Sequence, residues 1–201
     1  MLAFSSSCER NKEPILTQLR IYLAAARHVL EVGSGTGQHA EHFAAALPHL
    51  RWQATEQASA LPALAARIEA AALPNLPPPL ALDVAQTPWP GSPVDAVVTA
   101  NTLHIIHWPA VQTCLARVAG HLRPGGLFIC YGPFLRHGRH TSPSNALFDR
   151  DLKDVDPGRG IRDIDDLVRV GAPLGLRLHA DIGLPANNQL LVWRLAAAES
   201  A

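Results

Sequence analysis

His28-Val29-Leu30-Glu31-Val32-Gly33-Ser34-Gly35-Thr36-Gly37 is an apolar, β-branched run that ends in three glycines spaced two apart. His28 to Val32 has the character of a buried parallel strand, and from Gln38 to Leu47 the residues Ala40, Phe43, Ala44 and Leu47 fall on one face of a helix. The glycines therefore stand at a strand-to-helix turn. Lacking Cβ atoms, they let the chain turn sharply and a ligand approach the backbone, while the free N–H groups at the helix start favour an anionic group. The turn reads as a nucleotide-binding loop. A dinucleotide fingerprint needs its third glycine at position 38, which is Gln38, and no Gly-Lys-Ser or Gly-Lys-Thr follows as a P-loop requires.

Outward from this loop, Arg51 to Thr55 reads as a short strand ending at Glu56, 19 residues beyond Gly37. That is close to the ~20-residue interval at which a Rossmann-type sheet presents an acid to ribose hydroxyls. A carboxylate there can accept hydrogen bonds from both hydroxyls; the alternative is a solvated loop charge. Leu80 to Val84 reads as a third strand holding Asp83, a residue type that also caps turns. A helix is expected from about Lys12 to Ala26, with Asn11 as its cap, Pro14 in its first turn and Ile15, Leu16, Leu19 and Leu23 along one stripe. Another starts near Ser59 and buries Leu61, Leu64, Ala65 and Ile68. A Val-rich strand from Asp95 to Ala100 breaks at Asn101, and a helix from Pro109 buries Val111, Leu115, Val118 and Leu122. Arg123-Pro124-Gly125-Gly126 is expected to stop that helix and turn the chain into a strand from Leu127 to Tyr131. A helix near Ile164 to Ala172 then leads into strands Leu176 to Ile182 and Gln189 to Leu195, separated by Pro185-Ala186-Asn187-Asn188. Alternating helix and strand signify a parallel sheet covered on both faces.

The 201 residues suit a single domain with a sizeable core. Lys and Arg number 17 against 17 Asp and Glu, so no general attraction to nucleic acid or to anionic membrane is expected. Cys8, Cys114 and Cys130 form no C-x-x-C and read as reduced thiols of a cytoplasmic protein. No leader pattern and no run of 18 apolar residues is seen, so neither targeting segment nor membrane span is expected. His39 and His42, His104 and His107, and His137 and His140 make three His-x-x-His pairs, but no carboxylate or cysteine joins them at ligand spacing, so no metal is expected.

The pattern Glu31-x-Gly33-x-Gly35-x-Gly37 resembles the first motif of class I S-adenosylmethionine-dependent methyltransferases, in which this loop wraps the methionine part of the cofactor. Leu-Arg-Pro-Gly-Gly at 122 to 126 is similar to the same pattern. The resemblance narrows over nearly the whole chain, through Ser-Ser-Cys-Glu-Arg-Asn-Lys-Glu-Pro-Ile-Leu at 6 to 16, Ala-Asn-Thr-Leu-His-Ile-Ile at 100 to 106, Tyr-Gly-Pro-Phe at 131 to 134, Thr-Ser-x-Ser-Asn-Ala-x-Phe-Asp at 141 to 149 and Gly-Ile-Arg-Asp at 160 to 163. These motifs look like an uncharacterised methyltransferase-like family, labelled a domain of unknown function, that includes the human protein called methyltransferase-like twenty-six. The resemblance implies a Rossmann-like, doubly wound α/β fold with a seven-stranded sheet whose last strand is antiparallel. It implies one domain over 1–201, with a cofactor-covering arm at about 1–13 and a substrate-side insertion at about 135–163.

What the resemblance implies for the site is S-adenosylmethionine as cofactor, S-adenosylhomocysteine as product and a small-molecule acceptor. Arg10 is placed at the methionine carboxylate; Glu31, Gly33, Gly35 and Gly37 at the loop; Glu56 at the ribose; Asp83 at the adenine amino group; and Asn101 at the cofactor. Open parallel sheets bind ligands at the carboxyl ends of their strands, which makes His104 and Tyr131 the catalytic candidates. An ordinary histidine pKa near 6.5 suits a general base, though a hydrogen-bonded structural histidine is the alternative. Asn101 opens Asn-Thr-Leu-His where amino-methyltransferases carry Asn-Pro-Pro-Tyr, a departure that speaks against nucleobase or amide methylation. The long connection after the fifth strand is expected to act as a lid or binding loop. Its Ser142-Pro143 starts a helix that sets Asn145 and Asp149 four apart on one face, to hold a polar substrate or each other. Asn187, in the turn before the last strand, is expected to reach the same mouth. The expected activity is methyl transfer to an O, N or S nucleophile; the alternative is a cofactor-binding pseudoenzyme or scaffold without turnover.

Overall fold

The computed structural model describes residues 2–85 and 88–197; Met1 of the expected arm and residues 198–201 of the expected domain lie outside the described residues. Helix α1 spans Ser6–Tyr22 rather than starting at Lys12, and its cap is Ser5, whose hydroxyl accepts the Cys8 N–H at 3.3 Å. Asn11, expected as the cap, lies buried within the helix. Pro14 therefore stands in the interior, where loss of a helical hydrogen bond costs about 3 kcal/mol. Burial of Ile15, Leu16 and Leu19 outweighs this at about 1.5–3 kcal/mol for each side chain.

The chain continues through β1 (His28–Val32), α2 (Gln38–Ala46), β2 (Arg51–Glu56), α3 (Leu61–Ala71), β3 (Leu80–Ala81), β4 (Val94–Ala100), α4 (Trp108–His121) and β5 (Leu122–Gly132). There follow β6 (Phe134–Arg136), β7 (Arg139–His140), α5 (Pro143–Val155), β8 (Arg162–Asp163), α6 (Ile164–Gly171), a 3-10 turn at Ala172–Leu174, β9 (Leu176–Leu184) and β10 (Asn188–Leu195). Seven strands form one sheet in the order β3-β2-β1-β4-β5-β10-β9, with β10 antiparallel to both neighbours and the other pairings parallel. This is the expected doubly wound fold.

Local details differ from the expectation. Only two residues of the third strand pair, because the chain turns at Asp83, whose carboxylate accepts the Ala85 N–H at 2.9 Å. Arg123-Pro124-Gly125-Gly126 does not precede β5 but lies inside it, as a bulge where the β4 register shifts between Val94 and Ala96. Gly126 allows this close passage: a Cβ there would stand 2.8 Å from the Arg123 carbonyl oxygen and 3.0 Å from that of Asp95. Leu61 and Ala65 are only half-buried, and Leu64 and Ile68 carry the inner face of α3.

One core layer packs α1, α2 and α3 on the sheet through Leu19, Phe43, Leu64 and Trp52. The other packs α4 and α6 on the opposite face through Val111, Leu115, Leu167 and Trp193. The strand order reverses between β1 and β4, which opens a crevice at their carboxyl ends. The connection after β5 is ordered as α5 and a small sheet, β7-β6-β8. Among the described residues no helix is long and apolar enough to cross a membrane.

Candidate active site

Gly33, Gly35 and Gly37 carry φ values of 72°, 54° and 76°, left-handed backbone that suits glycine. Two of them also answer to close packing. A Cβ on Gly33 would lie 2.8 Å from the Thr102 hydroxyl, and one on Gly37 would lie 2.7 Å from Leu64. Beneath the loop, Glu31 is buried, and its carboxylate accepts the Ser34 hydroxyl at 2.9 Å and the Trp52 indole N–H at 3.0 Å. Burial pushes the Glu31 carboxyl up to about 7, against these lowering bonds and with the Glu56 charge adding to the rise. Glu31 thus braces the loop from behind and does not line the cavity in front of it. Gly37 stands behind the cavity as well, under α3.

The crevice is a cavity of about 1140 Å³. On its β1–β2 side stand Gly33, Gly35 and Glu56, the last accepting the Gly35 N–H at 2.8 Å through Oε2. Arg10 and Cys8 of α1 also line the cavity, and most of the segment expected as a covering arm, about 1–13, belongs to this helix. Leu82 and Val84 flank the far wall; Asp83, expected at the adenine, points its carboxylate into its own turn instead. Arg67, which sequence reasoning missed, ties three segments together. It donates to Thr36 O and Ala3 O, each at 2.6 Å, and pairs with Glu41 at 2.7 Å. A lone arginine on a helix has no local signature of such reach.

The β4–β5 side holds Asn101, His104 and Tyr131. Asn101 ends β4 in left-handed backbone at φ 58° and donates its N–H to Tyr131 O at 2.8 Å. Burial raises the Tyr131 hydroxyl above its ordinary value, with Asn11, Asn188 and Arg10 pulling it back, so the phenol stays protonated at neutral pH. His104 is buried with its ring edge-on to Phe148, centroids 5.3 Å apart. Burial, helped by the Arg162 charge, lowers it to about 4, which corrects the expected value near 6.5: the imidazole is neutral throughout the physiological range.

The insertion supports this side. Gly160 donates its N–H to His104 O at 3.0 Å, and Arg162 donates to the carbonyls of Leu103 and Gly158 at 3.0 Å each. The Gly-Ile-Arg-Asp motif is therefore the brace of the His104 loop. Asn145 lines the cavity, with both amide hydrogens given to Thr141 Oγ1 at 3.0 Å and Asn187 O at 2.9 Å. Asp149, expected beside it at the substrate, does not reach the cavity. Its carboxylate bonds His140 at 3.0 Å, Lys153 at 2.6 Å and the Ile161 N–H at 2.7 Å, clamping β7, α5 and the segment before β8. Asn187 is likewise a turn residue, at φ 56°, and its neighbour Asn188 lines the mouth in its place. Among the described residues no cluster suits a metal ion.

These groups set a pH dependence. His39, bonded to Asn11 at 2.7 Å, is lowered by burial to about 4, as is His104, and burial lowers His121 too. A depressed histidine contributes stability that is whole above about pH 6.5 and is lost as the pH falls towards 4. Glu31 acts oppositely, its contribution being whole below about 4.5 and lost as the pH rises through 7. Between about pH 4.5 and 6.5 the two histidines outweigh Glu31, so stability rises with pH. Urea denaturation of Glu31→Gln across that window is expected to show a slope steeper by on the order of 1 kcal/mol per pH unit; an unchanged slope would mean that Glu31 is ionised in the folded chain.

A seven-stranded sheet of this order, with a glycine loop after β1 and an acid after β2, defines the class I methyltransferase fold. Similar solved structures include an O-methyltransferase family protein from Burkholderia thailandensis (TM-score 0.81, 18% identity, covering 96% of this chain and 58% of that one). Others are human N-acetylserotonin methyltransferase in complex with S-adenosylmethionine (0.77, 16%, 95% and 53%) and an O-methyltransferase family 2 protein from Planctomyces limnophilus in complex with apigenin (0.77, 21%, 94% and 59%). The chain spans a little over half the length of these proteins, and at such identities the likeness is one of fold. The chain belongs to the family described as "protein of unknown function (DUF938)", whose model matches residues 2–195.

Proposed function

We propose that the chain is an S-adenosylmethionine-dependent methyltransferase acting on a small molecule through an O, N or S nucleophile. The observation that carries this reading is one continuous cavity joining the glycine loop and Glu56 to His104 and Tyr131. The residues fit the cofactor: the space in front of Gly35 is open, Glu56 offers acceptors for ribose hydroxyls, and Arg10 offers a cation for the methionine carboxylate. Leu82 and Val84 supply an apolar wall for adenine, with Asp83 shaping the turn that carries them. Bound there, S-adenosylmethionine supplies an electrophilic methyl group and leaves as S-adenosylhomocysteine. In-line displacement asks the protein for alignment and a dry site, and for a base only when the acceptor must lose a proton. His104, always unprotonated near neutrality, takes that proton, and Tyr131 and Asn188 orient the acceptor. Kinship with the human methyltransferase-like protein rests on the motifs quoted above. The three free cysteines fit a reducing, cytoplasmic setting.

Calorimetry tests the assignment: S-adenosylmethionine or S-adenosylhomocysteine is expected to bind and NAD not, whereas tight NAD binding without the former overturns it. Glu56→Ala is expected to weaken cofactor binding by about 1.5–3 kcal/mol, the range for hydrogen bonds to a charged group, with the fold intact. An unchanged affinity would remove Glu56 from the site. Cofactor binding with no transfer to any acceptor in a broad metabolite screen would leave a scaffold in place of an enzyme.

A further inference from the structure

We infer that the acceptor is a neutral, flat, ring-bearing small molecule that presents an aromatic hydroxyl to His104, an inference that rests on the methyltransferase reading. Space is the first ground. Pockets for one drug-sized ligand run to about 1,000 Å³, so the cavity of about 1140 Å³ has room for the cofactor and a second compact molecule. Charge is the second. Among the described residues, only Arg10 and Glu56 of the Asp, Glu, Lys and Arg side chains line the cavity, and the proposed function gives both to the cofactor. The nearest cation to His104, Arg162, is turned onto the carbonyls of Leu103, Ile106 and Gly158 and does not line the cavity. A carboxylate, phosphate or ammonium on the acceptor would thus enter without a partner, which low-dielectric surroundings penalise.

Shape is the third ground. Phe148 and Ile105 line this end and remain 39% and 38% exposed, leaving apolar surface that a ligand can cover. Phe148 already stands edge-on to His104, so a flat ring lying against it brings its rim to the imidazole. Polar guidance is sparse and neutral. Asn145 has both amide hydrogens committed and retains only an acceptor oxygen, while the Tyr131 hydroxyl is held by Asn11 and Asn188. His104 lines the cavity beside Phe148, so a hydroxyl on the rim of a ring stacked there meets the imidazole. In the step, the hydroxyl oxygen forms the bond to the methyl carbon, the carbon–sulfur bond breaks with its pair left on sulfur, and the hydroxyl proton passes to the imidazole. That proton becomes acidic only as the new bond forms, so a weak base suffices.

Naphthol, a naphthol carrying a carboxylate and a naphthol carrying a trimethylammonium group serve as probes, titrated calorimetrically into the chain with and without S-adenosylhomocysteine. The neutral probe is expected to bind at least tenfold more tightly than either charged one. Phe148→Ala, at a half-exposed position that leaves the core untouched, is expected to weaken the neutral probe about tenfold and leave S-adenosylhomocysteine affinity unchanged. Equal or tighter binding of a charged probe, no measurable binding of the neutral one, or indifference to Phe148→Ala overturns the inference. Selective neutral binding with no cofactor binding keeps the pocket and defeats the methyltransferase reading instead.

Discussion

Gly35→Val is expected to abolish the proposed S-adenosylmethionine binding, by at least a hundredfold or about 2.7 kcal/mol, while the chain stays folded. Gly35 lines the cavity, and a Cβ built there meets no atom within 4 Å, so valine places its two methyl groups in the ligand's path rather than in the protein. The backbone adds to the effect. At φ 54° a β-branched residue is strained by roughly 1–3 kcal/mol, and relief by rotation pulls the Gly35 N–H away from Glu56. Gly37→Val provides the contrast, since its Cβ runs into Leu64 at 2.7 Å and Arg67 at 2.9 Å. That substitution lowers the melting temperature by forcing α3 off the loop, and any loss of binding is secondary. Calorimetry with parallel thermal melting separates the two; full affinity in Gly35→Val would show that the cofactor does not pass this loop.

His104→Ala is expected to reduce the proposed methyl transfer by about 10²–10⁴-fold, the contribution typical of a positioned acid or base, with cofactor affinity within about twofold of the parent. The imidazole sits at the carboxyl end of β4 on the cavity wall, on the side opposite Glu56, so its removal leaves the cofactor contacts in place. Its depressed pKa gives a further signature. Transfer has no His104 limb near pH 6.5, and the rate falls through protonation of this residue only as the pH approaches about 4. A limb near 6.5 that vanishes in the alanine variant would show that the imidazole is solvated in the working state. Undiminished transfer by His104→Ala would assign the proton to water and leave the residue as a wall.

The glycine loop and the alternation of strand and helix were legible because each is encoded locally, whereas the seven strands and the antiparallel last one followed from the family resemblance. An apolar β-branched run, a helical stripe and glycines at a turn mean the same thing wherever they occur. Glu56 and His104 could be placed at strand ends by counting alone. The two consecutive asparagines of the last turn could not be told apart, since only the left-handed backbone at Asn187 decides that Asn188 faces the mouth. Asn145 and Asp149 share a helix face, yet one lines the cavity and the other clamps the insertion, because the partners of Asp149 come from 9 residues before it and 12 after.

By itself, then, the sequence determined the fold class, the place of the ligand crevice and the loop that opens it, all consequences of short-range pattern and strand order. Tertiary structure alone decided which carboxylates line the cavity and which brace the frame. Glu31 differs from Glu56 only in lying across from Ala54 at the centre of the sheet, where Trp52 and Ser34 enclose it and water is excluded. Likewise His104 owes its neutrality to Phe148 and to the burial and charge brought by the insertion, 40 and more residues further along the chain. Such assignments depend on desolvation, a property of what the rest of the chain packs around a group and not of the group or its neighbours in sequence.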